Sequence, residues 1–146
     1  MRFDEAVRRL AVLPAPLPAP AAVLMPTILG GMGPPRRPPP GQPGRAAGVL
    51  VLLYPDDAGA TRVVLTERAS RDGYHSGEVS FPGGKAEPGD VDIVATALRE
   101  AAEEIALDTE AARLRVVGLL ERFWIPVSDF AVTPVVAVVD HRPQMV

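Results

Sequence analysis

The chain has 146 residues, 47% hydrophobic and 23% charged, with a net charge of −3 and no cysteine. That length suits one domain with a real core. The modest negative charge argues against a general nucleic-acid binder. The absence of cysteine excludes a disulfide framework and thiolate chemistry, and no apolar run approaches the roughly 18 residues of a membrane span. The N-terminus lacks the basic, apolar and small-residue order of a signal peptide, so a cytoplasmic protein is expected.

Residues 3–13 are spaced for a short amphipathic helix, with Phe3, Val7, Leu10 and Ala11 on one face and Arg2, Arg8 and Arg9 on the other. Such a helix packs on its own domain or serves as an interfacial or partner helix. Prolines and glycines dominate residues 14–44, which predicts an extended arm near polyproline II. Its R-R-P-P-P run has the form of a ligand for proline-recognition domains, and the apolar island at residues 21–29 suggests a part that docks. The folded domain is expected to begin near Arg45, dividing the chain into residues 1–44 and 45–146.

Residues 47–54 form a continuous apolar run, as in a strand buried on both faces. A turn at residues 55–59 leads to a second strand at 61–67, and the two read as a hairpin. A polar loop at 68–73 precedes a short strand at 75–81 and a glycine turn at Gly83 and Gly84, where the backbone permits close approach by a ligand. His75 and Lys85 flank this turn as candidate phosphate contacts.

An amphipathic helix follows, with Asp92 as its predicted N-cap. Val94, Leu98, Ala101 and Ile105 fall at helical spacing on one apolar face. Glu100, Glu103 and Glu104 share another face at i, i+3 and i+4. Like charges at those spacings cost about 0.2–0.5 kcal/mol per pair. Anions near a helix C-terminus cost roughly 0.3–1 kcal/mol each. A broken local rule points to a functional site, and a hard divalent cation, Mg²⁺ or Mn²⁺, would compensate three carboxylates. Arg99 can orient a carboxylate or hold an oxyanion with its planar fork.

Residues 108–112 read as a connection and residues 113–123 as a strand interrupted at Gly118 by a bulge. Residues 124–128 turn the chain into a last strand at 132–139. Trp124 and Phe130 read as core residues, with stacking on an adenine or lining an acyl pocket as the alternative.

The run G-G-K-A-E-P-G-D, continued by R-E-A-A-E-E-I-A-L, resembles the signature of the Nudix hydrolases, which use a divalent metal to cleave nucleoside diphosphates linked to another group. The resemblance implies Glu100, Glu103 and Glu104 as catalytic metal ligands, with the Gly83 carbonyl beside them, and Arg99 as the residue that orients the site. Asp90 stands where the family usually has glutamate, with one extra residue before Arg99, and is a candidate for holding the loop or an outer water. Ala106 replaces the usual glycine. Both variations resemble the coenzyme A diphosphatase-like branch.

So do Thr66, Arg68, Ala69, Gly77, Phe81, Pro82, Gly83 and Gly84, which match that branch's extra motif. Gly73 stands where the motif has an arginine, and Arg71 is the nearby substitute. The stretch G-Y-H-S-G resembles another version of the motif. Met32 to Arg36 (M-G-P-P-R) resembles a short motif before the core, implying Arg36 or Arg37 as a phosphate contact. Substrate-binding residues implied in this way are Arg36, Arg68, His75, Gly84 and Lys85.

The expected fold class is therefore α/β (α+β), an α/β/α sandwich around a mixed sheet, with its C-terminal part expected to be missing because the family continues with further strands and a second long helix. The expected activity is metal-dependent hydrolysis of a small-molecule nucleoside diphosphate derivative, with coenzyme A the implied substrate. ADP-ribose, dinucleotides and nucleoside triphosphates are the alternatives within the class, and a non-hydrolytic nucleotide-binding or interaction module is the alternative outside it. No nucleic-acid or membrane partner is expected, and a homodimer stays open.

Overall fold

A computed structural model describes residues 1–12, 38–67 and 79–145. Arg36, Arg37, Arg68, Arg71, Gly73, His75 and Gly77 lie outside the described residues, as do most of the proline-rich arm and the polar loop after residue 67.

Strand β1 (Arg45–Pro55) is the axis of the sheet. On one side it pairs in parallel with β8 (Phe130–Val138) over nine positions, from Arg45 opposite Phe130 to Leu53 opposite Val138. Its other side is shared by two short antiparallel strands. β2 (Thr61–Val63) takes the C-terminal end of β1, and β5 (Gly83–Lys85) takes the N-terminal end. β6 (Arg115–Leu119) and β7 (Phe123–Ile125) divide the far side of β8 in the same way. Among the described residues this makes a six-stranded mixed sheet, with β3 (Thr66–Glu67) and β4 (Val79–Ser80) as a separate two-stranded ladder.

Helix α2 (Ile93–Ile105) lies across β1 and β5. Its first turn is capped as expected: the Ala95 amide donates to Asp92 Oδ1 at 2.8 Å, satisfying one of the orphan N–H groups of a helix start. Its buried residues are Thr96, Ala97, Ala101 and Ile105, while Val94 and Leu98 pack at the margin of the core. All four expected apolar positions face this core, Ala101 and Ile105 within it and Val94 and Leu98 at its edge, with Thr96 and Ala97 buried besides. Small side chains occupy the line of closest approach because β1 presents Gly48 there; a Cβ on Gly48 would lie 2.8 Å from the Ile93 carbonyl oxygen. Leu50 and Leu52 of β1 and Val135, Ala137 and Val139 complete this core. Helix α1 (Phe3–Leu10) packs beside β2, with the Phe3 amide donating to the Gly59 carbonyl and the Thr61 amide to the Met1 carbonyl, both at 3.0 Å.

Several strand expectations need correction. β1 is not buried equally on both faces: Leu50 and Leu52 are sealed under α2, whereas Val49, Val51 and Leu53 are half-buried. The segment 61–67 is not one strand. Val64 turns inward, its amide bonding the Leu52 carbonyl at 3.0 Å, and Thr66 and Glu67 then pair with β4 instead of β1. Gly83 and Gly84 form strand rather than turn. Residues 113–123 are shorter as a strand than expected, though the register does shift between Val116 and Gly118. Trp124 belongs to β7, and the turn falls at residues 126–129. Neither Trp124 nor Phe130 is a core residue. Trp124 donates its indole N–H to Asp129 at 3.0 Å, and the Arg45 guanidinium sits 4.3 Å above the Phe130 ring.

Candidate active site

The site forms where α2 crosses the free edge of β5. Pairing geometry decides which groups face that edge. The Leu50 amide bonds the Pro82 carbonyl and the Ala86 amide bonds the Ala46 carbonyl, so the even-numbered positions of β5 are the hydrogen-bonded partners of β1. In an antiparallel ladder the alternate residues direct their N–H and C=O groups the other way. Gly83 and Lys85 therefore turn their backbone groups away from β1, toward the side chains of α2. The Gly83 amide donates to Glu104 Oε2 at 3.1 Å, and the Lys85 carbonyl accepts from Arg99 Nη2 at 3.0 Å.

Glu100 reaches over Gly84. A Cβ built on Gly84 would lie 2.5 Å from Glu100 Cδ and 2.6 Å from both of its carboxylate oxygens. The missing side chain of Gly84 is the space that the Glu100 carboxylate fills, so the site depends on a close approach between strand and side chain.

Arg99 is the hub. Its Nε donates to Asp90 Oδ1 at 3.1 Å, and its Nη2 to Asp90 Oδ2 at 3.2 Å as well as to the Lys85 carbonyl. Its Nη1 lies 3.0 Å from Glu100 Oε1 and donates to Glu103 at 3.3 Å. Every nitrogen of the guanidinium is committed to this chain, so the fork orients carboxylates and has no donor aimed at an incoming phosphate. Asp90 is equally saturated: besides Arg99, its Oδ2 accepts from the Glu87 amide and the Thr96 hydroxyl, both at 2.9 Å. Its side chain is only 7% exposed. The Arg99 guanidinium, followed by the Glu87 amide and then Thr96, outweighs burial and holds the Asp90 carboxyl down at about 2. Asp90 in turn raises the Arg99 pKa further above its ordinary value, with Glu100 and Glu103 adding to it.

The structure thus gathers Arg99, Glu100, Glu104, Gly83, Gly84 and the Lys85 backbone at one edge. Glu103 is set apart; its side chain is 60% exposed and touches the cluster through Arg99. Arg36, Arg68 and His75 lie outside the described residues. Among the described residues no three acidic or imidazole side chains converge as a closed metal cage. The donor chemistry nevertheless suits a hard cation. Glu100, Glu103 and Glu104 offer only oxygen, and the register turns the Gly83 carbonyl toward the same edge. Asp90, Glu100 and Glu103 share a single guanidinium, which leaves an excess of negative charge for a cation to offset. Thr96 was missed by the sequence reading; a hydroxyl three residues before Arg99, within an alanine-rich turn, was the available signal.

An α+β domain in which helix carboxylates lie across a glycine strand is the class that fold and site define. Residues 44–142 match the NUDIX domain family, and the chain belongs to it. It is 54% identical over 82 residues to "Nudix hydrolase 15, mitochondrial" of Arabidopsis thaliana, covering 56% of this chain and 28% of that one. It is 47% identical over 98 residues to "Nudix hydrolase 22, chloroplastic" of the same plant, covering 67% and 32%, and 39% identical over 95 residues to the "Uncharacterized Nudix hydrolase NudL" of an Enterobacter strain, covering 65% and 47%. The chain therefore spans less than half the length of these curated relatives. Solved structures of the M. smegmatis Nudix hydrolase RenU and of a C. elegans Ap4A hydrolase superpose with TM-scores of 0.56 and 0.55 at 24% and 21% identity. Each match covers 70% of this chain, with 65% and 71% of the respective partners. These two likenesses establish the fold.

Proposed function

We propose that this chain hydrolyses a nucleoside diphosphate linkage in a metal-dependent reaction, with coenzyme A as substrate and phosphopantetheine and adenosine 3′,5′-bisphosphate as products. The observation that carries the hydrolase reading is the Glu100 carboxylate, lodged over Gly84 and pinned by Arg99. Glu100 and Glu104 would hold the cation, with Glu103 and the Gly83 carbonyl completing the oxygen donors. When bound, a divalent cation supplies Lewis acidity toward a phosphoryl oxygen and the attacking water. Arg99 fixes the direction of Glu100, and Asp90 fixes Arg99, a supporting role that often matters nearly as much as the ligand itself. Lys85, with Arg36, Arg68 and His75, would meet the substrate's phosphates. Water adds to phosphorus and gives up a proton to solvent, the phosphoanhydride P–O bond breaks, and the leaving phosphate departs with the bonding pair.

The coenzyme A reading rests on the match of Thr66, Arg68, Ala69, Gly77 and residues 81–84 to the branch motif. It is supported by the pairing that brings the two ends of the motif together: Thr66 lies opposite Ser80, with their hydroxyls 3.1 Å apart. Gly73, in place of that motif's arginine, favours ADP-ribose, a dinucleotide or a nucleoside triphosphate as the second reading. Glu103, exposed and held only through Arg99, leaves a non-hydrolytic nucleotide-binding module as a further reading. Mass spectrometry of products separates these readings. The purified chain is incubated with coenzyme A, ADP-ribose, NADH and a nucleotide mixture, with Mg²⁺ or Mn²⁺, beside Glu104→Gln. Phosphopantetheine from the unmutated chain alone supports the proposal, and cleavage of another diphosphate refutes the substrate but keeps the chemistry. Mn²⁺ and nucleotide binding with no cleavage leaves the binding module.

A further inference from the structure

We propose that Thr96 is a positioning residue for this site: its hydroxyl clamps the Asp90 carboxylate and, through it, the Arg99 fork that aims Glu100. The role in the reaction rests on the hydrolase reading above. Thr96 is fully buried at the end of the first turn of α2, the only polar residue among the described ones to be so enclosed. A buried threonine in a helix commonly satisfies itself on the carbonyl four residues back, and here the Asp92 carbonyl is 3.3 Å away. Asp90 Oδ2 is nearer, at 2.9 Å. The hydroxyl has one proton to give. A short bond to an ionised carboxylate is about twice as strong as one to a neutral carbonyl, so the proton goes to Asp90.

That bond anchors the 86–91 loop to the body of the helix. Apart from Arg99 and Thr96, the Asp90 carboxylate is met by the amide of Glu87 in its own loop, whose carbonyl takes the Asp90 amide in return. Without Thr96 the Asp90 carboxylate would be held by Arg99 and its own loop, with no side-chain tie to the buried face of α2. The aim of Arg99 on Glu100, 3.0 Å away, depends on that tie.

The test compares Thr96→Val, which keeps the shape and removes the donor, with Thr96→Ser, which keeps the donor and removes a methyl group. Two readouts are taken on the full chain without substrate: Mn²⁺ affinity by electron paramagnetic resonance, and hydrogen exchange of the Arg99 Nε–H by NMR. Thr96→Val is expected to weaken Mn²⁺ binding about 10-fold, within the range for outer-shell partners, and to speed Arg99 Nε–H exchange. Thr96→Ser should stay within about threefold of wild type on both readouts, since the donor that links it to Asp90 is retained. Adding Thr96→Val to Asp90→Ala should change little beyond Asp90→Ala alone. The inference is overturned if Thr96→Val matches wild type on both readouts, if Thr96→Ser falls as far as Thr96→Val, or if the loss adds in full to Asp90→Ala. A wild-type chain that neither binds Mn²⁺ nor cleaves a diphosphate overturns the hydrolase reading and the role within it. The clamp itself is then decided by the Arg99 signal, which needs neither metal nor turnover.

Discussion

A methyl group at position 84 would enter the space that the Glu100 carboxyl fills. The new Cβ would lie 2.5 Å from Glu100 Cδ, against about 3.5–4.0 Å for an ordinary carbon contact, so the carboxylate must retreat by about 1 Å or more. A displacement of that size in a reacting group costs about 10²-fold in rate. The fold should hardly notice. Gly84 has no positive φ, the obstructing atoms end a flexible side chain, and alanine in place of glycine returns about 0.5–1 kcal/mol of backbone entropy. That offsets the loosened Arg99–Glu100 pair, which solvent already screens. Gly84→Ala is therefore expected to melt within about 3 °C of wild type while losing about 100-fold in turnover and a comparable share of Mn²⁺ affinity. Gly83→Ala is the contrast: its Cβ would run into the Gly48 carbonyl oxygen and lie 2.6 Å from Val49 Cα, both backbone, so the strand pair must part and the protein loses stability. Calorimetry and Mn²⁺ titration on both variants check this. Gly84→Ala with wild-type metal affinity and turnover would refute the placement of Glu100, and a large loss of stability would refute the separation of site from fold.

Ala106 closes α2 in the left-handed region, at φ 51 and ψ 34, where a Cβ costs roughly 1–2 kcal/mol. Ala106→Gly should raise stability by about 1 kcal/mol after glycine's own entropy cost, read as a higher urea midpoint at unchanged slope. Asp90 titrates at about 2 in the fold, below its ordinary 3.8. Its charged form therefore adds stability that is complete above about pH 4 and lost as the pH falls toward 2. The melting-temperature gap between wild type and Asp90→Asn should shrink across that window, and a constant gap would count against the depressed pKa. Glu100→Gln and Glu104→Gln should each lower turnover by at least about 100-fold, with Glu103→Gln costing less because its carboxylate is exposed and held only by Arg99. Arg99→Lys should fail to restore activity, since one ammonium cannot span Asp90, the Lys85 carbonyl and Glu100 together.

What could be read from the sequence was what local rules write into it. The Asp92 cap, the helix after it and the clustering of Glu100, Glu103 and Glu104 on one face all follow from spacing along a single element. β5 could not be read this way, because two glycines carry no strand propensity. They pair with β1 for a reason that lies on other elements: Gly48 and Val49 on one side and Glu100 on the other leave no room for a side chain. The burial of Thr96 and Ala97 in place of larger neighbours has the same origin, since the depth of α2 is set by Gly48.

The acidic face shows the limit most clearly. Taken along the helix alone, three glutamates near a C-terminus stand uncompensated and call for a cation. In the fold, part of the compensation is already present, because Arg99 engages Glu100 and Glu103 and the Gly83 amide engages Glu104. The helix therefore needs less from a cation than spacing alone suggests, and the need persists because Asp90 draws on the same guanidinium. One positive charge shared among Asp90, Glu100 and Glu103 can aim those carboxylates but cannot neutralise them. Aim without neutralisation is what a site needs if a divalent ion is to bind and leave Arg99 in place.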